Sequence, residues 1–166
     1  MTPLTLALYQ PDIPQNAGTM LRTCACLGVG AAIIGPAGFP TGDRDFRRAG
    51  MDYLDHVTID RHASFAAFEE WRRARAAAGE TRRLLLLSTR AEASYLDCAY
   101  QAGDILLVGR ESAGAPQEVF AAADLTLRIP MRAEARSLNV AAAAAMAMGE
   151  ALRQIAQIAT CAPAQK

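Results

Sequence analysis

The sequence predicts an α/β domain built around a largely parallel sheet. Short apolar runs alternate with segments of helical periodicity along the chain, and no linker, repeat or low-complexity stretch separates them. The chain has 166 residues, of which 52% are hydrophobic, so it has the usual size of one domain and ample material for one packed core. We therefore expect a single domain over residues 1–166.

Six short apolar runs are predicted to be the strands of this sheet. In an α/β domain such runs alternate with helices, and the helices cover the faces of the sheet. The predicted strands are residues 4–9, 31–34, 57–59, 84–87, 105–108 and 125–129.

Five segments between and after these strands are predicted to be helices. Ser64 is suited to cap the third of them. Phe65, Phe68 and Trp71 recur in it every three residues, a stripe that is more often core packing than a base-stacking platform, so we assign them to structure. The predicted helices are residues 17–27, 44–49, 64–78, 116–122 and 139–158.

The charges of the chain cancel, with 17 basic and 17 acidic residues. The whole protein therefore has no broad electrostatic attraction to nucleic acid or to a membrane surface. Any RNA contact would have to come from local arginine clusters, although each cluster taken alone is more often a solvated face. The clusters are Arg44, Arg47 and Arg48, then Arg72, Arg73 and Arg75, then Arg82 and Arg83.

The four cysteines indicate neither a disulfide framework nor a metal site. Cys24 and Cys26 form C-x-C without a matching second pair or a nearby histidine, so we expect buried thiols in a reducing cytoplasm. The chain opens directly on a strand-like run, without a basic leader or a long apolar segment. We expect a soluble cytoplasmic protein that requires no metal and does not enter a membrane.

Glycines at 28 and 30 suggest a dinucleotide-binding fingerprint, but their position argues against it. That fingerprint needs its glycines after a strand and at the opening of a helix, whereas Gly28 and Gly30 follow a predicted helix and precede a strand. They are better explained as a helix stop followed by a turn, so we exclude a nicotinamide cofactor.

Three segments lie where a strand ends or a loop begins, which is where α/β sheets bind ligands. Each has an ordinary explanation: Asn16 can cap a helix, residues 109–114 can form a tight turn, and Ser137 or Asn139 can cap the last helix. Capping and turns do not explain why all three occur together in this order. The first segment reads N-x-G-x-x-x-R at Asn16, Gly18 and Arg22. The second reads G-x-E-x-x-G at Gly109, Glu111 and Gly114. The third reads I-P-M at 129–131, followed by R-S-L-N at 136–139.

On these motifs the chain resembles the SPOUT superfamily of knotted RNA methyltransferases. The resemblance spans nearly the whole chain and implies a deep C-terminal trefoil knot, an obligate homodimer and S-adenosylmethionine as cofactor. Knots are nearly absent from folds in general, so periodicity alone does not predict one. The resemblance implies that the cofactor binds in the knot loops, at Leu87, Gly109, Ile129 and Ser137, with further contacts from Met131 and Leu138.

The resemblance also implies catalytic roles for four residues. Arg22 would help to remove the proton of a ribose hydroxyl or would position a substrate phosphate that does so; because arginine is normally always protonated, we favour the second role. Ser137 and Asn139 would align the ribose, and Glu111 would brace its loop. His56 and His62 lie outside the motifs and are expected to be ordinary surface or strand residues.

Within the superfamily the chain most resembles the tRNA (cytidine(34)-2'-O)-methyltransferase group, which modifies the wobble ribose of certain leucine tRNAs. This narrower likeness rests on residues 8–14, 38–39 and 47–53 and on the lack of an accessory RNA-binding domain before the motifs. Two alternatives stay open. One is the same chemistry on another tRNA or ribosomal RNA ribose, and the other is a non-catalytic RNA-binding module, against which the retained Arg22, Glu111, Ser137 and Asn139 argue.

Overall fold

Every strand pairing in the described part of the chain is parallel. The computed structural model describes residues 2–42, 44, 54–80 and 82–155. The strands are β1 (Leu4–Tyr9), β2 (Gly30–Ile34), β3 (Ile59–His62), β4 (Leu84–Leu87), β5 (Ala93–Ser94), β6 (Asp104–Val108) and β7 (Leu125–Arg128). They form one sheet in the order β3-β2-β1-β6-β4-β7-β5, which confirms the predicted α/β class.

Helices cover both faces of this sheet. They are α1 (Pro14–Leu27), α2 (Phe65–Ala77), α3 (Gln117–Ala122) and α4 (Val140–Gln154), and a short 3-10 helix covers Leu54–His56. Because successive side chains of a strand point to opposite faces, a strand covered on both sides must be apolar throughout. All six residues of β1 are accordingly buried.

The core is divided by the sheet into two apolar clusters. Leu4, Leu6 and Leu8 of β1 pack on the side of α1 and α4, and Ala7 and Tyr9 pack on the side of α2 and α3. Phe65 and Phe68 are buried in the second cluster, and Trp71 packs against it, so the predicted structural role of the aromatic stripe is confirmed.

The edge strand β3 differs from its prediction. Residues 57–59 were expected, but the strand covers Ile59–His62. Its pairing with β2 begins where Ala31 lies opposite Ile59. An edge strand has one neighbour and tolerates polar residues, so Asp60 and Arg61 carry no apolar signal. The two-residue strand β5 was also missed, because it is too short to show alternation.

The start of α1 also corrects a prediction. Asn16 does not cap this helix: Ile13 is the N-cap residue, without a side-chain hydrogen bond, and Pro14 occupies the first turn. Proline is well suited to that position because its missing N–H would have no helical partner. Asn16 thus lies within the first turn, and its amide is used for contacts with other segments.

Three helix-terminus predictions are confirmed. The Ser64 hydroxyl accepts a hydrogen bond from the Ala67 backbone N–H, and the Asn139 side chain accepts bonds from two N–H groups at the start of α4. Gly28 ends α1 with φ +67°, a left-handed conformation that favours glycine. Of the predicted helix 44–49 only Arg44 lies among the described residues, and the predicted end of the last helix at 158 lies outside them.

The cysteine prediction holds for two of the three described thiols. Cys24 and Cys98 are buried, and burial raises the pKa of Cys24 to about 12. Cys26 is exposed, because it lies on the outer side of α1, so the prediction of burial is wrong there. Over the described ranges, no helix has the length and apolar character needed to cross a membrane.

Candidate active site

A cavity of about 330 Å³ opens at the carboxyl edge of the sheet, beyond the ends of β4 and β6. The segment between β7 and α4 and the first turns of α1 and α4 complete its wall. Ligands of parallel α/β sheets bind beyond the carboxyl ends of the strands, so this cavity is the candidate active site.

The cavity brings together all the residues predicted to contact a cofactor. These side chains come from three separate segments of the chain, the end of β4, the loop after β6 and the segment before α4. Glu111 and Asn139, two of the predicted catalytic residues, line the same wall. The predicted cofactor contacts in this lining are Leu87, Gly109, Ile129, Met131, Ser137 and Leu138.

The Glu111 carboxylate joins the loop after β6 to the start of α1. One of its oxygens accepts a hydrogen bond from the Asp12 backbone N–H at 3.1 Å, and the other accepts one from the Asn16 side-chain amide at 3.2 Å. Hydrogen bonds to an ionised acceptor are stronger than those between neutral groups. Glu111 therefore binds protein groups on both oxygens, as a residue that braces its loop does.

Asn16 and Asn139 extend this connection to the last helix. The Asn139 side-chain amide donates to the Asn16 carbonyl oxygen at 3.0 Å, while the Asn139 oxygen accepts from the backbone N–H groups of Ala141 and Ala142. The three motif segments are thus linked in one hydrogen-bonded chain along the cavity wall. The Asn139 side chain is occupied on both its oxygen and its nitrogen.

Asp12 holds the same loop from the opposite side. Its carboxylate accepts hydrogen bonds from the Glu111 backbone N–H at 3.2 Å and from the Ser112 hydroxyl. The hydrogen bonds with Glu111 and Ser112 lower the pKa of Asp12 to about 2. Because folding lowers this pKa, the ionised Asp12 carboxylate stabilises the folded protein fully at pH values above the pKa of Asp12 in the unfolded chain. This stabilisation is lost as the pH falls towards 2.

Gly109 begins the loop after β6 at a point where a side chain has no room. A Cβ atom there would lie 2.6 Å from the Gly114 carbonyl carbon and 2.7 Å from the Ala115 nitrogen. Both are backbone atoms, which cannot rotate away. The closest constraint on Gly109 in the structure is therefore the closure of the loop on itself.

Arg22 is the predicted site residue that is not among the described residues lining the cavity. It is exposed on α1, six residues beyond Asn16. In an α-helix this spacing corresponds to about 9 Å along the axis and about 120° around it. Arg22 therefore lies on the exposed surface of α1, away from the turn of the helix that lines the cavity.

Several lining residues were not predicted. Ser88 and Thr89 directly follow β4, so their position at a strand end was the available signal. Arg110 lies between two motif residues, lines the cavity and contacts Gln10 through Nη1 at 3.4 Å. Its Nη2 atom lies 3.6 Å from the Asp12 carboxylate, and its buried Nε atom has no hydrogen-bond partner in the described part of the chain.

Four arginines of the clusters that suggested RNA contacts pair with acidic residues of the fold, namely Arg72, Arg75, Arg82 and Arg83. Arg72 pairs with Glu69 and with Asp124, and Arg83 forms a two-nitrogen contact with the buried Asp104. Both side chains stabilise the fold, so we withdraw them as phosphate-binding candidates. Arg47 and Arg48 lie outside the described residues.

The described residues contain no group of three or more histidine, cysteine, aspartate or glutamate side chains that could hold a metal ion. The polar groups of the cavity are amides, hydroxyls, one carboxylate and one guanidinium. With an otherwise apolar wall, this is the composition of a site for an organic ligand.

The fold and this cavity define a parallel α/β protein with its ligand site at the carboxyl edge of the sheet. The sequence matches the SpoU rRNA Methylase family over residues 3–149, and the chain belongs to this family.

Individual relatives agree with this assignment over most of the chain. A tRNA (cytidine(34)-2'-O)-methyltransferase of Beijerinckia indica subsp. indica is 63% identical over 155 residues, which are 93% of each chain. A solved structure described as giving structural insights into the 2-OH methylation of C/U34 on tRNA has a TM-score of 0.81 and 46% identity. The match covers 91% of this chain and 95% of that one. The structure of the SpoU methyltransferase AviRb from Streptomyces viridochromogenes, in complex with the cofactor AdoMet, has a TM-score of 0.83 and 29% identity. The match covers 94% of this chain and 61% of that one.

Gly109→Ala tests whether the closed loop shapes the cavity. The added methyl group must displace the backbone at Gly114 and Ala115, at the cost of about 1–3 kcal/mol that is typical of forced overpacking. We expect the affinity for S-adenosylmethionine to fall by about tenfold or more in calorimetric titration.

Gly149→Ala is the matched control, because a Cβ at Gly149 meets no atom within 4 Å. Its cofactor affinity should equal that of the wild type. Wild-type affinity in Gly109→Ala would mean that the loop does not form the ligand site.

Proposed function

We propose that this protein is an S-adenosylmethionine-dependent methyltransferase that methylates the 2'-hydroxyl of nucleotide 34 in tRNA, with leucine tRNAs as its substrates. The observation that carries the chemistry is the convergence of the three motif segments on one cavity. The position in tRNA is supported by the relative that is 63% identical over 93% of each chain. The broader family description supports a ribosomal RNA ribose as the alternative substrate.

The cavity fits the cofactor in size and composition. Its volume of about 330 Å³ is within the range of small-molecule sites, and its wall is mostly apolar with a few polar groups. Leu87, Ile129 and Leu138 offer apolar surface to the adenosine part of S-adenosylmethionine. The Leu138 side chain is 41% exposed, which suits a residue that a ligand covers.

When bound, S-adenosylmethionine supplies an electrophilic methyl group for in-line attack by the ribose oxygen. The protein must then orient the ribose and provide an acceptor for its hydroxyl proton. Within the described part of the chain the Ser137 hydroxyl forms no hydrogen bond, and it lines the cavity, so Ser137 is suited to contact the ribose or the cofactor.

Glu111 and Asn139 act in this proposal as positioning residues. Both oxygens of Glu111 bind protein donors, and the Asn139 amide binds Asn16 and the start of α4. Neither side chain is a proton acceptor for the ribose. Their contacts hold the three segments in the arrangement that the substrate meets.

Arg22 acts on the RNA and not on the cofactor. A guanidinium stays protonated, so it does not accept the proton itself. Its exposed position on α1, the helix whose first turn lines the cavity, suits a contact with a phosphate of the bound RNA, and that phosphate is in turn a candidate proton acceptor. This arrangement supports positioning of the substrate as the role of Arg22.

We also infer the deep trefoil knot and the homodimer implied by the SPOUT resemblance. Support for the knot comes from the C-terminal end of α4, where Gln154 accepts a hydrogen bond from Tyr100 N–H and donates one to the Cys98 carbonyl. These contacts connect α4 with the segment between β5 and β6. Support for the dimer comes from Ile13 and Met146, large apolar residues that are 41% and 42% exposed on the monomer.

Methylation of unmodified tRNA by the wild-type protein tests the proposed function. We expect incubation with S-adenosylmethionine and leucine tRNA to add one methyl group, because the enzyme modifies one ribose per tRNA. Nuclease digestion followed by mass spectrometry should locate it at the 2'-oxygen of nucleotide 34. A methyl group at another nucleotide would contradict the proposed position, and no transfer to any RNA would contradict enzyme activity.

Arg22→Ala tests the role of the exposed arginine. If Arg22 orients the RNA in the transition state, its loss lowers turnover by orders of magnitude, while cofactor affinity stays that of the wild type. Methyl transfer to leucine tRNA and calorimetric cofactor titration measure the two quantities separately.

Arg75→Ala, which removes an arginine of α2 whose guanidinium already pairs with Glu80, is the control and should leave both quantities unchanged. Turnover of Arg22→Ala within twofold of the wild type would remove this arginine from the mechanism.

A further inference from the structure

Four exposed arginines directly adjoin the wall of the candidate active site. Each is the sequence neighbour of a residue that lines the cavity, so the two Cα atoms lie about 3.8 Å apart. Their side chains are therefore attached beside the place where a substrate meets the protein. We call these four residues the arginine surface. They are Arg90 after Thr89, Arg128 before Ile129, Arg132 after Met131 and Arg136 before Ser137.

The arginine surface has no acidic partner in the part of the chain that the structure describes. Arg44 and Arg73 also lack one among the described residues, but neither adjoins the cavity wall. A paired guanidinium has its charge compensated by a carboxylate, whereas an exposed and unpaired one can bind a phosphate. Arginines elsewhere that do pair with carboxylates are Arg72, Arg75, Arg82, Arg83 and Arg153.

Arg90 is held in place by an aromatic ring and by a turn. Its guanidinium carbon lies 4.4 Å from the centroid of the Phe120 ring. The Ser88 hydroxyl accepts a hydrogen bond from the Arg90 backbone N–H at 3.1 Å, and the Ser88 carbonyl accepts one from Ala91 N–H at 3.3 Å. A guanidinium that lies over a ring keeps the N–H donors at its edge for an oxyanion.

Strand alternation places Arg128 on the same face of the sheet as Arg90. Leu127 is buried in the apolar cluster on the side of α1 and α4, and the next residue of a strand points to the opposite face. Phe120, under Arg90, packs against the cluster of that opposite face. Arg90 and Arg128 therefore add their charges on one side of the cavity.

A turn brings the other two arginines together. The Ala135 backbone N–H donates to the Arg132 carbonyl at 3.0 Å, and the first and fourth residues of such a turn lie within about 7 Å. Arg136 directly follows Ala135, so it lies beside Arg132. Residues 128–139 contain three arginines and one acidic residue, Glu134, so this segment is positively charged although the whole chain is neutral.

We propose that the arginine surface binds phosphates of the substrate RNA on either side of the methylated nucleotide. This inference rests on the proposed function, because the RNA must present its ribose to the cavity that these residues adjoin. Since the net charge of the chain is zero, attraction to RNA has to come from a local surface of this kind. Phosphate contacts position the RNA without reading its sequence.

Two double variants and a charge-matched control test the surface. One carries Arg90→Gln with Arg128→Gln, and the other carries Arg132→Gln with Arg136→Gln. Glutamine keeps these exposed side chains polar, and the two pairs lie on different parts of the surface, so a folding fault in one leaves the other decisive. The control carries Arg75→Gln with Arg153→Gln, which removes the same charge from arginines that are exposed and paired with Glu80 and Glu150.

Each protein is titrated with unmodified leucine tRNA at salt concentrations between about 0.05 and 0.2 M, and the slope of log K against log salt is measured. We expect each of the two double variants to lower this slope by about 1.4–1.8, because one phosphate contact contributes about 0.7–0.9. Counted from 1 M salt, this makes tRNA binding roughly 25-fold to 60-fold weaker at about 0.1 M. The control should keep the wild-type slope, and all three proteins should bind S-adenosylmethionine like the wild type.

A wild-type salt slope in either double variant, once it binds the cofactor normally and is therefore folded, would overturn the arginine surface. Unchanged tRNA binding combined with weaker cofactor binding would assign the arginines to the carboxylate of S-adenosylmethionine, and would equally overturn the proposal.

The location of the methyl group on wild-type product separates this inference from the proposed function. Methylation at nucleotide 34 together with wild-type slopes in the variants removes the arginine surface alone. Methylation at another nucleotide removes the proposed function, whatever slopes the variants show.

Discussion

The Glu111 carboxylate forms the connection on which the candidate site depends. It binds the Asp12 backbone and the Asn16 side chain, and Asn16 in turn binds Asn139 at the start of the last helix. Three segments that are far apart in sequence are thereby held along one wall of the cavity. The Asp12 carboxylate accepts hydrogen bonds from the Glu111 N–H and the Ser112 hydroxyl, so a second carboxylate holds the loop from its other side.

The parallel sheet explains why this network lies where a ligand can bind. All the strands point the same way, so the loops after β1, β4, β6 and β7 meet at one edge. Apolar residues at the strand ends and in the segment before α4 supply the wall, while polar side chains in the loops supply the rim.

Apolar periodicity is a local signal, so the sequence was sufficient to predict the α/β class and most of the buried strands. The predicted cofactor contacts were implied by the family resemblance of the three motifs, and the structure places them in one cavity. The position of edge strand β3 was predicted wrongly because Asp60 and Arg61 give no apolar signal. Asn16 was predicted to cap α1, because its hydrogen-bond partners Glu111 and Asn139 are distant in sequence. The ion pairs of Arg72 with Asp124 and of Arg83 with Asp104 could not be predicted from the sequence either, because the acidic partners belong to other segments of the chain.

The central claim is that the Glu111 carboxylate organises the cofactor site without contacting the cofactor's reacting atoms, and Glu111→Gln tests it most directly. The glutamine NH₂ group must face a donor, either Asp12 N–H or the Asn16 amide, so one hydrogen bond worth about 1.5–3 kcal/mol is lost. Calorimetric titration with S-adenosylmethionine should give an affinity lower by about tenfold or more, while the far-ultraviolet circular dichroism remains that of the wild type. Wild-type cofactor affinity in Glu111→Gln would contradict the account.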